Sequence, residues 1–218
     1  MFTGIIEAVG SLMAVTPRAG GASASISAPQ EFLDSEAVKL GDSIACNGVC
    51  LTVTSLGAGS FTADMSSETM RVTCFGSYSR GTLINLEAAC TPNTHLGGHI
   101  VQGHVDGIGT VRSRADRPDS TDIMIALPPE MLRYVAMKGS VAVDGVSLTV
   151  NGIEGDLMRL TLIPHTMGAA AISNWRPGAR VNLEADVIAR YLERLSQFSG
   201  GAGAQGGLTM ESLIENGF

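Results

Sequence analysis

Positive charge is scarce in this chain: 14 Lys and Arg stand against 21 Asp and Glu in 218 residues, a formal net charge of −7. Nucleic-acid backbones are held by clustered cations, and the few present here are scattered, so a nucleic-acid partner is excluded. Long apolar runs are missing too. The longest central stretch free of Asp, Glu, Lys and Arg, residues 88–105, contains Pro92, three histidines and several glycines and is no membrane span. The first residues carry no basic segment and place Glu7 where the apolar core of a secretory signal would continue. Cysteine is limited to Cys46, Cys50, Cys74 and Cys90 without a CxxC pair, which argues against a zinc site or a disulfide framework and predicts reduced thiols. These absences predict a cytoplasmic protein with no membrane partner.

What is present is an ordinary globular composition, 44% hydrophobic and 16% charged. Above all, the chain repeats itself. A shift of 97 lays Gly48-Val49-Cys50-Leu51-Thr52-Val53 on Gly145-Val146-Ser147-Leu148-Thr149-Val150, and Asn85-Leu86-Glu87-Ala88 on Asn182-Leu183-Glu184-Ala185. A shift of 99 aligns Gly4-Ile5-Ile6-Glu7 with Gly103-His104-Val105-Asp106. A period this long makes each copy a domain and not one layer of a solenoid. We therefore expect domains at 1–97 and 98–186, meeting near Leu96-Gly97-Gly98, and an appendage at 187–218.

Within each copy, short runs rich in Val, Ile, Thr and Leu alternate with Gly, Asn, Asp and Pro, the pattern of a small antiparallel barrel. In the second copy the strands are expected at about 99–111, 122–126, 140–143, 147–153, 157–163 and 180–184. Asn47-Gly48 and Asp144-Gly145 are hairpin signals. Helical turns are expected at Pro29 and Pro128, and near 67–75 and 164–172, with Pro164 at a first helical position. After the second copy, Val187, Ile188, Tyr191, Leu192, Leu195 and Phe198 recur at helical spacing, which predicts an amphipathic helix, then a Gly-rich linker and a short segment at 208–218. Its apolar face either packs on its own barrel or associates with another copy.

Four histidines invite a metal or acid–base reading. His95, His99 and His104 lack the spacing and the accompanying acid of a helical zinc motif, so no metal is expected. His104 stands where the first copy has Ile5, and Cys50 where the second has Ser147, in otherwise matching blocks. Two related pockets with unlike polar handles suit two copies of related ligands in different roles. Thr52 and Thr149 extend these handles. Gly107-x-Gly109 lacks the third glycine and the strand-to-helix context of a dinucleotide loop.

The opening Met1-Phe2-Thr3-Gly4-Ile5-Ile6-Glu7, the blocks Asn47–Val53 and Asp144–Val150, and Gly97-Gly98-His99-Ile100-Val101-Gln102-Gly103-His104-Val105 together resemble the riboflavin synthase family, with two lumazine-binding repeats. The resemblance reaches the ending Glu215-Asn216-Gly217-Phe218. It implies an all-β fold of two tandem six-stranded antiparallel Greek-key barrels with a C-terminal amphipathic helix. It also implies a dismutation: one 6,7-dimethyl-8-ribityllumazine gives a four-carbon unit to another, yielding riboflavin and 5-amino-6-ribitylaminouracil without cofactor or metal. The helix would support a homotrimer whose sites form between the first barrel of one subunit and the second of the next. Association with lumazine synthase is left open.

Carried over by motif, a first pocket would use Gly4, Ile5, Ile6, Cys50, Leu51, Thr52, Asp64, Met65, Ser66, Ser67, Glu68 and Thr69. A second would use Gly103, His104, Val105, Lys138, Ser147, Leu148, Thr149, Thr161, Leu162, Ile163, Pro164, His165 and Thr166. His104 and Cys50 are the expected groups for proton transfer or ring polarisation, with Ser147 a ligand contact. Pro164-His165-Thr166 departs from relatives that carry an acid there, as Glu68 does in the first copy, which speaks against a general acid–base role at that position. The rival readings are a non-catalytic lumazine- or flavin-binding protein on the same double barrel, an FAD-binding reductase module, against which the missing nucleotide domain counts, and a purely structural β-protein.

Overall fold

The computed structural model describes residues 1–199; the linker and the segment expected at 208–218 lie outside them. Residues Met1–Asp186 form one compact unit, and the helix begins a second.

The first unit holds two closed barrels. The first is built from β1 (Ala8–Arg18), β2 (Gly21–Ser27), β3 (Ser43–Cys46), β4 (Val49–Gly57), β5 (Ser60–Ser66) and β6 (Leu83–Ala88), in the order β1-β2-β5-β4-β3-β6. The second repeats it with β7 (Gly107–Asp116), β8 (Thr121–Ala126), β9 (Ser140–Val143), β10 (Val146–Glu154), β11 (Leu157–Leu162) and β12 (Arg180–Ala185). Every pairing is antiparallel, and β2 lies beside β5 across the β3-β4-β5 meander, a Greek key. Closing so small a sheet demands sharp local bending, and the register shifts at equivalent places: Leu12/Ala14 and Val111/Ser113, Val53/Ser55 and Val150/Gly152.

Helical turns fall where proline sets them. Pro29 precedes α1 (Gln30–Ser35), Pro128 precedes a 3-10 turn at Pro129–Tyr134, and Pro164 opens α3 (Pro164–Ala169). In the first copy Ser66 caps α2 (Ser67–Val72), its Oγ accepting from the Thr69 amide at 3.0 Å. One strand expectation needs correction. Residues 99–106 are not the start of β7: the His99 and Val101 amides donate to the Thr3 and Phe2 carbonyls, so this segment pairs with the chain's opening residues.

Phe61, Ile26, Ile44, Ile84 and Leu86 fill the first barrel, and Ile123, Ile125, Leu160, Met158 and Trp175 the second. Between the barrels sits a small cluster of Phe2, Val101, Ala45 and Ala142, all buried. The two hairpins meet back to back at glycines with φ of +75° and +80°; a Cβ on Gly48 would stand 2.7 Å from the Gly145 amide nitrogen. Around them Asn85 Nδ2 donates to the Asp144 carbonyl and Asn182 Nδ2 to the Asn47 carbonyl, at 2.9 Å each.

The departure from symmetry at Tyr78 in this network follows from donor chemistry. Asn47 Nδ2 donates to the Tyr78 hydroxyl at 3.0 Å, whereas the equivalent of Tyr78 is Trp175, whose indole N–H only donates. An acceptor must face it, and Asp144 Oδ2 accepts at 2.8 Å. Burial pushes Asp144 up to about 7, and Glu184 likewise to about 7. Below about pH 7 both bind protons in the folded chain that the unfolded chain has already released above roughly pH 4.5, and above it both are carboxylates. Their contribution to stability therefore falls as pH rises through the window from about 4.5 to 7. His99, held below its usual range by burial, opposes this only toward acid pH. The thermal midpoint is expected to be higher at pH 6.5 than at pH 8, by about 2–5 °C, in a buffer-matched calorimetric scan; a lower midpoint at pH 6.5 would contradict these assignments.

All four cysteines are free thiols, and burial pushes Cys74 up to about 12. The second unit's helix, α4 (Val187–Ser199), leaves Ile188, Tyr191, Leu192, Leu195 and Phe198 55–66% exposed. Among the described residues no helix is long and apolar enough to cross a membrane.

Candidate functional site

Strand alternation decides which side chains reach a ligand. In β4, Val49, Leu51 and Val53 point into the barrel while Cys50 and Thr52 point out; in β10, Val146, Leu148 and Val150 point in while Ser147 and Thr149 point out. By the same rule Met65 and Leu162 are core side chains, and Asp64, Ser66 and Thr161 face outward. Leu51, Met65, Leu148 and Leu162 are thus placed beside the outer grooves through their backbones alone. The outer face continues into α2, with Ser67, Glu68 and Thr69, and into α3, where Ile163, Pro164 and His165 are exposed and Thr166 is half-buried. Glu68 is exposed and bonded to Arg71 at 2.6 and 3.0 Å.

The lips of the grooves come from the segments that precede β1 and β7, and they cross. The Gly4 carbonyl accepts from the Ser147 amide at 2.8 Å, and Ile6 packs against the core of the second barrel. The Gly103 carbonyl accepts from the Cys50 amide at 2.9 Å, and Val105 packs against the core of the first. Both glycines have positive φ, +76° and +79°, and a Cβ on either would lie 2.6 Å from the opposing Cβ. The grouping expected from the motifs is therefore corrected: Gly4, Ile5 and Ile6 lie with Ser147, and Gly103, His104 and Val105 lie with Cys50. The physical reason is that each opening segment runs through the junction before entering its own barrel.

The two grooves carry unlike polar groups. On the first barrel, Cys50 and His104 line a hollow of about 190 Å³ with Met1, Ile100 and Gln102. On the second, His99 Nδ1 lies 2.7 Å from Ser147 Oγ. His99 is 8% exposed, its Nε2 has no partner among the described residues, and burial keeps the ring neutral at pH 7. Sequence reasoning weighed His99 with the other histidines for a metal or acid–base role and assigned it none. The signal for it was the dipeptide Gly98-His99, just ahead of the block Gly103-His104-Val105-Asp106 that opens the second copy. Gly98 is obligatory there, since a Cβ would meet the Thr3 carbonyl oxygen at 2.2 Å and Ser147 Oγ at 2.8 Å. A cleft of about 450 Å³ between the Tyr78 and Trp175 turns is larger, but it contains none of these repeat-breaking groups.

Lys138 is the other departure. It takes φ +67° where the first copy has Gly41 at +88°, and its amide donates to the Val150 carbonyl as that of Gly41 does to Val53. A side chain kept in the left-handed region at a cost of about 1 kcal/mol argues for use of its ammonium group. Lys138→Gly is expected to raise stability by about 1 kcal/mol while weakening ligand binding, as read by denaturant melts and fluorescence titration.

Residues 3–89 and 102–186 match the family described as lumazine binding domain. A riboflavin synthase of Photobacterium phosphoreum is 46% identical over 218 residues, covering 100% of this chain and 99% of that protein. The chain belongs to the riboflavin synthase family. The riboflavin synthase of Bacillus subtilis (strain 168) is 38% identical over the full length of both chains, and that of Mycobacterium tuberculosis (strain ATCC 25618 / H37Rv) 42% identical over 92% of this chain and 100% of its own. Among solved structures, LumP complexed with 6,7-dimethyl-8-(1'-D-ribityl) lumazine shares the fold with a TM-score of 0.77 at 22% identity, covering 85% of this chain and 99% of that one. Family membership makes this chain an enzyme with a lumazine-type ligand.

Proposed function

We propose that the chain catalyses the dismutation of two 6,7-dimethyl-8-ribityllumazine molecules into riboflavin and 5-amino-6-ribitylaminouracil. The observation that carries this reading is that the outward polar groups of the two barrels differ at equivalent points, Cys50 lining a hollow with His104 on one and Ser147 bonded to His99 on the other. The reaction needs no external oxidant, because one lumazine donates the four-carbon unit that its twin accepts. The chain has to orient two rings and move protons.

His99 is suited to the proton abstraction. As a neutral ring it accepts from Ser147 Oγ–H, and the hydroxyl oxygen then takes a proton from the acidified C7 methyl of a bound lumazine. Cys50 and His104 polarise the second ring and return a proton to it, and Lys138 supplies positive charge to the ligand. Asp64, Ser66, Thr69, Thr161 and Thr166 bind the polar ribityl and ring edges. A shared site between the first barrel of one chain and the second of the next, in a cytoplasmic homotrimer joined by α4, would bring the two rings face to face. The apolar face of α4 supports that assembly.

A carrier on the same double barrel is the second reading, favoured by the likeness to LumP; against it stand identities of 36–46% to riboflavin synthases and 22% to LumP. Incubation with 6,7-dimethyl-8-ribityllumazine alone, followed by chromatography, separates them. Riboflavin must accumulate with time beyond one equivalent per chain; bound but unchanged lumazine would make the chain a carrier.

A further inference from the structure

The crossed lips are held by a second pair of equivalent residues, Glu87 on β6 and Glu184 on β12, whose use the chemistry above does not explain. Glu87 is 2% exposed, yet its Oε1 accepts from the Thr3 amide at 2.5 Å and the Thr3 hydroxyl at 2.7 Å, and its Oε2 from the Gly4 amide at 2.9 Å. Glu184 is 4% exposed, with Oε1 accepting from the Gln102 amide at 2.6 Å and Oε2 from the Gly103 and His104 amides at 2.9 and 3.0 Å. Each carboxylate thus uses both oxygens as acceptors for the backbone of a glycine turn. That turn offers its carbonyl to the opposite barrel: Gly4 to Ser147, Gly103 to Cys50.

We propose that Glu87 and Glu184 are positioning residues acting across the junction, the carboxylate of each barrel fixing the lip of the groove on the other. Glu184 sets Gly103 and His104 against Cys50; Glu87 sets Gly4 and Ile5 against Ser147. The two grooves are in this way built together, and neither barrel completes its own. Reading the grooves as lumazine sites rests on the function proposed above; the crossing itself does not.

Only a carboxylate serves, because the glutamine isostere turns an NH₂ donor toward amide donors, leaving at least one buried N–H unsatisfied. The test uses the full chain with Glu184→Gln or Glu87→Gln, reading amide hydrogen exchange in the segments containing Cys50 and Ser147. Glu184→Gln is expected to speed exchange at Cys50 about tenfold or more and leave Ser147 unchanged; Glu87→Gln does the reverse. Should a glutamine variant fail to fold, the aspartate variants, which keep the charge but retract it, must give the same crossed pattern. Acceleration of both segments together, or confined to the mutated barrel's own strand, overturns the proposal. Riboflavin titration runs alongside, with one of two sites expected to weaken about tenfold in each variant. If the unsubstituted chain binds no riboflavin, the functional reading fails while the exchange pattern still judges the crossing.

Discussion

Phe2→Ala is expected to cost about 3–5 kcal/mol of stability and to abolish most of the turnover. Phe2 is fully buried in the cluster with Val101, Ala45 and Ala142, and its backbone pairs in both directions with Val101. Truncation removes the transfer free energy of a buried aromatic and leaves a cavity that two barrels, locked by the Asn85 and Asn182 bonds, close only in part. The ring also abuts Gly103, since a Cβ there would lie 2.9 Å from Phe2 Cε2, so the lip over Cys50 loses its backing. Phe2→Leu, which keeps most of the volume, should lose about 1–2 kcal/mol. Urea denaturation with a turnover assay on the same preparations measures both. A midpoint for Phe2→Ala equal to that of the unsubstituted chain would show that the junction is not the keystone described here.

The second large effect is on chemistry. His99→Gln and Ser147→Ala are each expected to lower kcat by about 10²–10⁴ while changing ligand affinity far less. Because the hydroxyl and the imidazole, bonded at 2.7 Å, act on one proton, the double variant should be no worse than the poorer single one. The acid limb of the pH profile should follow a histidine held below its usual range and vanish with the substitution at His99. Multiplying losses in the double variant would mean that the two residues act separately. Unchanged turnover in His99→Gln would move the proton abstraction to the Cys50 and His104 groove, where His104→Gln is the matching experiment.

The sequence made the barrels legible because the repeat is a physical statement about burial. The blocks at Val49 and Val146 alternate inward and outward in the same register, and Asn47-Gly48 and Asp144-Gly145 supply the positive φ a tight hairpin requires. α4 was visible from spacing alone, and Pro164 marked a helix start. The crossing was not legible. A repeat shift says that Gly4 and Gly103 are equivalent, but not which barrel each turn faces, because that depends on the path through the junction. The run at 99–106 looks like the front of a strand for the same reason: Val101 is buried, but against Phe2 rather than in a sheet. His99 escaped because it lies outside the aligned blocks, ahead of the one that sets Gly103–Asp106 against Gly4–Glu7. Glu87 and Glu184 were read merely as part of a matching block, although a paired acid inside an apolar strand is itself a signal, since a buried carboxylate requires donors.

The most direct test of the proposed chemistry is product stoichiometry, measured by chromatography after chelator-treated protein is incubated with 6,7-dimethyl-8-ribityllumazine as the sole substrate. Two lumazines consumed for each riboflavin and each 5-amino-6-ribitylaminouracil formed, at a constant ratio through many turnovers, is the result predicted. Riboflavin without an equal amount of the pyrimidine, or lumazine retained unchanged on the protein, would contradict it.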